Sequence, residues 1–258
     1  MTTALQTHAL GMAFGGVKAL QDISITVDEG QWIGLIGPNG SGKSTLLNVL
    51  SGVYEATAGD VTYKSSSITR QSARERALGG IVRTFQHPQL AATLTIRENV
   101  TLGADLGARR VTRKERRGLA QRRTEDVLHQ FGCSSFADAL PDEVPYGIRK
   151  MAEVARAAAA DPDILLLDEP AAGLSAQERI ELIQALSDFR AARPQVSLCL
   201  VEHDVTLVRA LVESIVVLHA GRMLTQGPAD DVLADDRVKA AYLGKSVSIG
   251  TIADGVRA

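Results

Sequence analysis

The stretch Gly37-Pro38-Asn39-Gly40-Ser41-Gly42-Lys43-Ser44 decides the fold, because it satisfies the spacing G-x-x-x-x-G-K-[ST] of a phosphate-binding loop. Before it, the buried apolar run Trp32–Ile36 predicts a strand, and after it Thr45–Leu50 predicts a helix. A glycine-rich string can also be a flexible surface loop. The strand-to-helix context favours a loop that wraps a phosphate group.

Each residue type in this loop suits a bound triphosphate. The glycines let the backbone curl so that its amides point at phosphate oxygens, and the helix start adds its dipole. Lys43 supplies positive charge to the β- and γ-phosphates, and the Ser44 hydroxyl is a ligand for Mg²⁺, a hard ion that prefers oxygen. The loop residues predicted to bind Mg-ATP are Asn39, Gly40, Ser41, Gly42, Lys43, Ser44 and Thr45.

Two acidic residues follow a second apolar run. Ile164–Leu167 delivers Asp168 and Glu169 to the carboxyl end of a strand, the edge where open α/β sheets bind ligands. Carboxylates at the end of a buried strand are costly without a nearby cation, so Asp168 is predicted to bind magnesium. Glu169 is placed to orient or deprotonate the attacking water. The alternative role for these acids is a helix N-cap, but the phosphate-binding loop favours the catalytic interpretation.

A histidine follows a third apolar run. Val196–Val201 predicts a buried strand, and His203 comes two residues after it. A lone histidine is most often a satisfied core or surface residue. At the carboxyl end of a buried strand it should face the same crevice as Asp168, so His203 is predicted to sense the γ-phosphate.

The order of the elements predicts an α/β protein with a parallel sheet. The continuous apolar runs, Ile215–Leu218 among them, are typical of strands covered on both faces. Ser175 and Glu178 predict a capping box at the start of an intervening helix. Near the amino terminus, the alternating stretch Ile23–Val27 predicts a half-buried strand. Between Phe85 and Asp161 helical periodicity takes over, which predicts a second subdomain.

Bulk properties exclude several classes of function. The chain has 258 residues, 45% of them hydrophobic, which is enough for a sizeable core. Its formal net charge of −2 gives no global attraction to nucleic acid. No apolar run is long enough to cross a bilayer and no export signal begins the chain, so we expect a cytoplasmic protein. Cys133 and Cys199 lack metal-type or redox-type spacing and are expected to be reduced, structural thiols.

A basic segment, Arg109–Arg123, has two interpretations. It can be a solvated helix face, with Thr112 and Glu115 as a possible cap and Leu119 on the buried side. It can also be a docking surface for a membrane partner or for lipid head groups, which charge reversal at Arg116, Arg117 and Arg122 would test. The sequence leaves both open.

Taken together, Gly37–Ser44, Gln86, Leu167-Asp168-Glu169-Pro170 and His203 resemble, in that order, the nucleotide-binding subunit of ABC transporters. The resemblance covers Leu5 to Gly244. It implies a P-loop NTPase (RecA-like) parallel-sheet core with an N-terminal antiparallel β subdomain and an inserted α-helical subdomain. We expect residues 1–86 with 160–230 to form the core and β subdomain, 87–159 the helical subdomain, and 231–258 a C-terminal helix and tail.

The resemblance also implies residue roles. Phe14 would stack on adenine, with Val17 beside it, and Gln86 would contact both Mg²⁺ and the membrane partner. Glu169 would be the catalytic base and His203 the switch histidine, with Lys43 completing the catalytic set.

Gly147, with Tyr146 before it, would be the signature glycine that meets the γ-phosphate of ATP held by the opposite subunit. The resemblance therefore implies a dimer that closes on two ATP molecules and opens after hydrolysis. Its partners would be a second ATPase subunit, either a different chain or a second copy of this one in a homodimer, two transmembrane permease subunits and, indirectly, an extracytoplasmic solute-binding protein. The chain would lie at the cytoplasmic face of the plasma (inner) membrane.

Finer resemblance favours one transporter class. The stretches Val82–Gln86, Pro145–Gly147, Asp168–Leu174 and Lys239–Gly244 look like ATPase subunits of branched-chain and hydrophobic amino acid importers. Relatives that import urea or short amides, or export lipopolysaccharide, are also similar, because the cargo is chosen by other subunits. A soluble ABC protein acting on ribosomes or DNA is the rival from another class, but this chain has one nucleotide domain and no broad basic surface.

Two departures from the family pattern bear on the assembly. The usual signature begins Leu-Ser-Gly-Gly-Gln, whereas Val144-Pro145-Tyr146-Gly147-Ile148 stands here, and Pro145 has no amide hydrogen to donate. In the family pattern the loop that follows Pro170 ends in aspartate, and Ser175 stands at that place here. These changes predict pairing with a different ATPase subunit and unequal contributions to the two sites. They also leave open a regulatory subunit that binds ATP without turnover.

Overall fold

The computed structural model of the protein describes residues 2–109 and 113–243. The strands are β1 Thr3–Phe14, β2 Val17–Ile23, β3 Thr26–Asp28, β4 Trp32–Ile36, β5 Ala58–Tyr63, β6 Ser66–Ser67, β7 Ile81–Arg83, β8 Ile164–Asp168, β9 Ser197–Val201, β10 Ser214–His219 and β11 Arg222–Pro228. The helices are α1 Lys43–Leu50, α2 Ala73–Gly79, α3 Ile96–Ala108, α4 Arg113–Gln130, α5 Tyr146–Ala159, α6 Ala176–Ala192, α7 Val205–Leu211, α8 Ala229–Ala234 and α9 Asp236–Leu243.

The larger sheet has the strand order β11-β10-β4-β9-β8-β7. Strands β10, β4, β9, β8 and β7 pair in parallel, and β11 joins the edge of the sheet antiparallel to β10. Every residue of β4, β8 and β9 is buried, which explains their continuously apolar sequences. The predicted parallel sheet is therefore confirmed, and the segments that follow β4, β8 and β9 share one edge of it.

The second sheet is antiparallel, and its strands differ from one strand prediction. Ile23–Val27 is not a single strand, because β2 ends at Ile23 and β3 begins at Thr26. The two pieces pair with different halves of β1, which changes direction at Ala9, where φ is 45°. Between them the Thr7 hydroxyl donates to the Ile23 carbonyl and accepts from the Ile25 amide, while the Thr7 amide donates to the Ile25 carbonyl at 2.9 Å.

Helix α1 lies between the two sheets. Its apolar side chains are buried in the core that the sheets share. The helices α3 and α5 pack closely on the other side of the parallel sheet, since a Cβ at Gly103 or Gly107 of α3 would overlap the carbonyl oxygen of Arg156 or Ala160. The loop that precedes α1 is thus held on rigid elements.

Several local predictions can be compared with this fold. The capping box is confirmed, since Ser175 accepts from the Glu178 amide and Glu178 accepts from the Ser175 amide. Cys133 and Cys199 are both free and buried, as expected. Thr112, the tail Ser246–Ala258 and the side chains of Arg116 and Arg117 lie outside the described residues, so both interpretations of the basic segment stay open. Within residues 2–109 and 113–243, no helix is both long and apolar enough to cross a membrane.

Candidate active site

The phosphate-binding loop owes its shape to glycine conformations. Gly37 has φ 149° and Gly42 has φ 107°, a region that disfavours side chains. A Cβ at Gly37 would overlap the Leu218 carbonyl oxygen, and one at Gly42 would lie 2.8 Å from the Ala19 carbonyl oxygen. Helix α1 begins at Lys43 without a side-chain cap, so its first amides face the loop. Amides at the start of a helix can bind an anion.

Lys43 turns back into this loop. Its Nζ donates to the carbonyls of Gly37, at 2.8 Å, and Pro38, at 3.1 Å. Burial lowers the pKa of Lys43, while the negative charges of Glu169 and Asp168 oppose that shift. The Lys43 ammonium therefore interacts both with the carbonyls of the loop and with the two carboxylates.

The groups near the start of α1 also fit a phosphate and a hard cation. The buried hydroxyl of Ser41 has no hydrogen-bond partner among the described residues, which fits a loop that completes its bonding with a ligand. The Ser44 hydroxyl lies 3.5 Å from Asp168 Oδ1, and both are oxygen ligands of the type that Mg²⁺ prefers. Mg²⁺ keeps several waters, so few protein ligands are needed.

Arg83 holds the other oxygen of Asp168. Its Nη2 lies 3.3 Å from Asp168 Oδ2, and Nη1 donates to the side chains of Asn48 and Ser51. Burial raises the pKa of Asp168, and the Arg83 guanidinium opposes that shift. Because Arg83 fixes one carboxylate oxygen, the other is directed toward Ser44.

Glu169 lies directly after β8 in a left-handed backbone conformation, with φ 48°. Its Oε2 accepts from Gln86 Nε2 at 3.0 Å, and its amide donates to the Val201 carbonyl on β9 at 2.9 Å. Beneath these residues, Lys150 Nζ donates to the carbonyls of Gln86, at 2.5 Å, and Glu169, at 3.2 Å. The structure thus brings Gln86 and Glu169 together.

His203 follows β9 at the same sheet edge, and its side chain is 63% exposed. The buried Glu202 beside it accepts from the amides of Ala171, at 2.8 Å, and His203, at 3.2 Å. Burial raises the pKa of Glu202. A cavity of about 320 Å³ opens between these segments. Its lining residues are Ala171, Ala172, Gly173, Arg179, Glu202, His203 and Asp204.

The residues predicted to meet adenine lie on the antiparallel sheet. Phe14 ends β1 and Val17 begins β2, and both are exposed, Val17 to 68%. The Phe14 ring packs edge-on against Tyr54, with 5.3 Å between centroids. Exposed aromatic rings can stack on a base.

The residues predicted to form the signature lie at the start of α5 and contact the segment that follows Glu169. The Tyr146 ring packs against Gly173, where a Cβ would lie 2.8 Å from Tyr146 Cε1. A Cβ at Gly147 would overlap the Glu178 carboxylate. A side chain at position 147 would therefore displace the Glu178 carboxylate, which accepts from the Ser175 amide at the start of α6.

Sequence reasoning missed three buried charged residues of the site. Lys150, Glu153 and Glu202 are each about 1% exposed. A signal existed for two of them, because the helical period places Lys150 and Glu153 on the same face as Val154 and Ala157, which are buried. A charge on an apolar face predicts a buried polar partner.

Comparisons with known proteins agree with this geometry. A family model described as ABC transporter matches residues 20–172. The high-affinity branched-chain amino acid transport ATP-binding protein LivG of Salmonella typhimurium is 32% identical over 251 residues, covering 94% of this chain and 98% of that protein. The corresponding protein BraF of Pseudomonas aeruginosa is 33% identical, with coverage of 94% and 98%.

A solved structure is also similar. The ADP conformation of an ATP-binding cassette of an ABC transporter superposes with a TM-score of 0.79 at 28% identity, covering 95% of this chain and all of that one. The predicted fold class is confirmed by this similarity. The chain therefore belongs to the ABC transporter family and is one of its nucleotide-binding cassettes, which hydrolyse ATP to power transport.

Proposed function

We propose that this chain binds Mg-ATP at its phosphate-binding loop and powers the import of branched-chain or other hydrophobic amino acids. The observation that carries the proposal is the cluster of Lys43, Ser44, Asp168 and Glu169 at one sheet edge. The Ser44 hydroxyl lies 3.5 Å from Asp168 Oδ1. The negative charges of Asp168 and Glu169 both favour the protonated form of Lys43.

Each residue of the site has its own proposed role in hydrolysis. Lys43 would leave its loop carbonyls to contact the β- and γ-phosphates, and Ser44, Asp168 and Gln86 would hold Mg²⁺. When bound, the ion neutralises charge that develops on the phosphates. Glu169 accepts a proton from the attacking water, and His203 contacts the γ-phosphate.

The cargo proposal is supported by the relatives at 32% and 33% identity, whose names specify branched-chain amino acid transport. Import of urea or short amides, and export of lipopolysaccharide, are the alternatives within the family. The cargo is selected by permease subunits and a solute-binding protein rather than by the nucleotide site. The chain itself would associate peripherally with two permeases at the cytoplasmic face of the membrane.

The test is Glu169→Gln in the full-length chain, with hydrolysis assayed in membranes that contain its partner subunits and ATP binding assayed on the purified chain. Hydrolysis should slow at least a hundredfold, equivalent to roughly 3 kcal/mol or more of barrier, because the base is lost. Calorimetry should still detect Mg-dependent ATP binding, since the loop is unchanged. Glu181→Gln, an exposed glutamate of α6, is the matched control and should turn over ATP normally. Unchanged turnover in E169Q would refute the assignment.

A further inference from the structure

Lys150 is a buried cation that lies behind the site. It is 1% exposed, and its ammonium donates to two backbone carbonyls from different elements, Gln86 after β7 and Glu169 after β8. Burial lowers the pKa of Lys150, and four carboxylates oppose that shift. These are Glu153, Glu202, Glu169 and Asp168.

The two residues that Lys150 joins also contact each other in front of it, where Gln86 Nε2 donates to Glu169 Oε2. Glu169 needs such support because a left-handed backbone is unfavourable in a residue with a Cβ. Its amide is held by Val201, and its carbonyl accepts from both Lys150 and the Ala172 amide. Lys150 thus stabilises the conformation that directs the carboxylate.

Lys150 belongs to a set of polar side chains by which α5 holds residues 85–89. Glu153 Oε1 accepts from the amides of Phe85, at 3.3 Å, and Gln89, at 3.2 Å. Arg156 Nη1 donates to the Gln89 carbonyl at 2.6 Å. Because Lys150 also contacts Glu169, the segment and the carboxylate share one support on α5.

We propose that Lys150 is a positioning residue for ATP hydrolysis, which keeps Glu169 and Gln86 in register with the start of α5. The proposal rests on the proposed function, in which Glu169 is the base. Lys150 lies one turn after Tyr146-Gly147, so a displacement of the helix start is transmitted directly to Glu169.

The test compares Lys150→Met with Lys150→Arg in the full-length chain, with kcat measured in membranes that contain its partner subunits. K150M keeps an apolar stem of similar length but loses the donors, so kcat for Mg-ATP should fall at least tenfold. The KM and the Kd for ATP should change less than threefold, because the loop is intact. K150R should restore kcat to within threefold, since a guanidinium also donates to carbonyls, as Arg76 does elsewhere in this chain.

A second measurement does not depend on turnover. The Ala172 amide donates to the Glu169 carbonyl at 3.1 Å, so its hydrogen exchange should accelerate in K150M and not in K150R. Arg149→Met removes the neighbouring charge on the same helix and should leave both kcat and this exchange unchanged. If K150M kept wild-type kcat, or R149M lost as much, the role of Lys150 would be refuted.

The wild type and E169Q in the same assay separate the two proposals. Wild-type binding of Mg-ATP and loss of turnover in E169Q, with normal turnover in K150M, would refute only the positioning role. A wild-type chain without affinity for Mg-ATP would overturn the proposed function itself.

Discussion

Gly37 and Gly40 are required in the phosphate-binding loop for different reasons. Both have positive φ, 149° and 78°. At Gly37 a Cβ would overlap the Leu218 carbonyl oxygen of β10, whereas at Gly40 no atom lies within 4 Å of it. Only the backbone conformation restricts Gly40, but both conformation and packing restrict Gly37.

We therefore expect Gly37→Ala to destabilise the protein more than Gly40→Ala. G40A should lower the free energy of unfolding by about 1–2 kcal/mol, the cost of a left-handed residue with a Cβ. G37A should cost more, because the loop must also move away from β10. Urea unfolding of the two variants measures the difference, and equal losses would contradict this explanation.

Glu202 should make the folded protein less stable as the pH rises. Burial raises the pKa of Glu202 above its ordinary 4.5, so between these values the folded protein holds a proton that the unfolded chain has released. The free energy of unfolding therefore falls as the pH rises from 4.5 through the raised pKa. Urea unfolding across this window should show a weaker pH dependence in Glu202→Gln.

Glu178 provides a control, because its effect on the pH dependence of stability should be opposite to that of Glu202. Hydrogen bonds from Ser175 lower the pKa of Glu178, so its contribution to stability is present above 4.5 and lost as the pH falls. Glu178→Gln should therefore lose less stability on acidification than the wild type. A pH profile of E202Q identical to that of the wild type would contradict the effect assigned to burial.

At the scale of elements, Arg76 on α2 connects three segments around the end of α1. The residue is 1% exposed and satisfies backbone carbonyls with every nitrogen of its guanidinium. The accepting carbonyls belong to Val49, Leu50, Ile68, Thr69 and Gln71. One cation thus completes the hydrogen bonding of the last turn of the helix that carries Lys43 and Ser44.

We expect Arg76→Met to lower the free energy of unfolding by on the order of 3 kcal/mol or more, because it leaves buried carbonyls without a donor. Arg74→Met on the same helix removes an exposed guanidinium and should change stability by about 0.5 kcal/mol or less. Thermal or urea unfolding distinguishes the two. Similar small losses would mean that water replaces the guanidinium.

At the scale of the whole molecule, the proposed partner is a different ATPase subunit. The support is the altered start of α5, where Pro145 has no amide hydrogen and Ile148 stands at a position that is polar in the family pattern. With Mg-ATP, purified E169Q should therefore remain monomeric in size-exclusion chromatography with light scattering. A tight ATP-dependent homodimer would contradict the proposal.

The sequence by itself determined the phosphate-binding loop, the buried strands and the two carboxylates at the carboxyl end of β8. These features are local, because loop chemistry and strand patterning are written in neighbouring residues. The same locality explains the confirmed capping box of Ser175 and Glu178. The family followed from the order of these motifs.

Only the tertiary structure decided which distant groups complete the site. Three of these contacts join residues that are 19 to 85 positions apart in the sequence. They are the hydrogen bonds of Arg83 to Asp168, of Lys150 to the Glu169 carbonyl, and of the Ala171 amide to Glu202. The break within Ile23–Val27 likewise depends on pairing with the two halves of β1. A buried charge takes its partners from whichever elements the fold brings near, and sequence periodicity shows that it is buried without showing what it contacts.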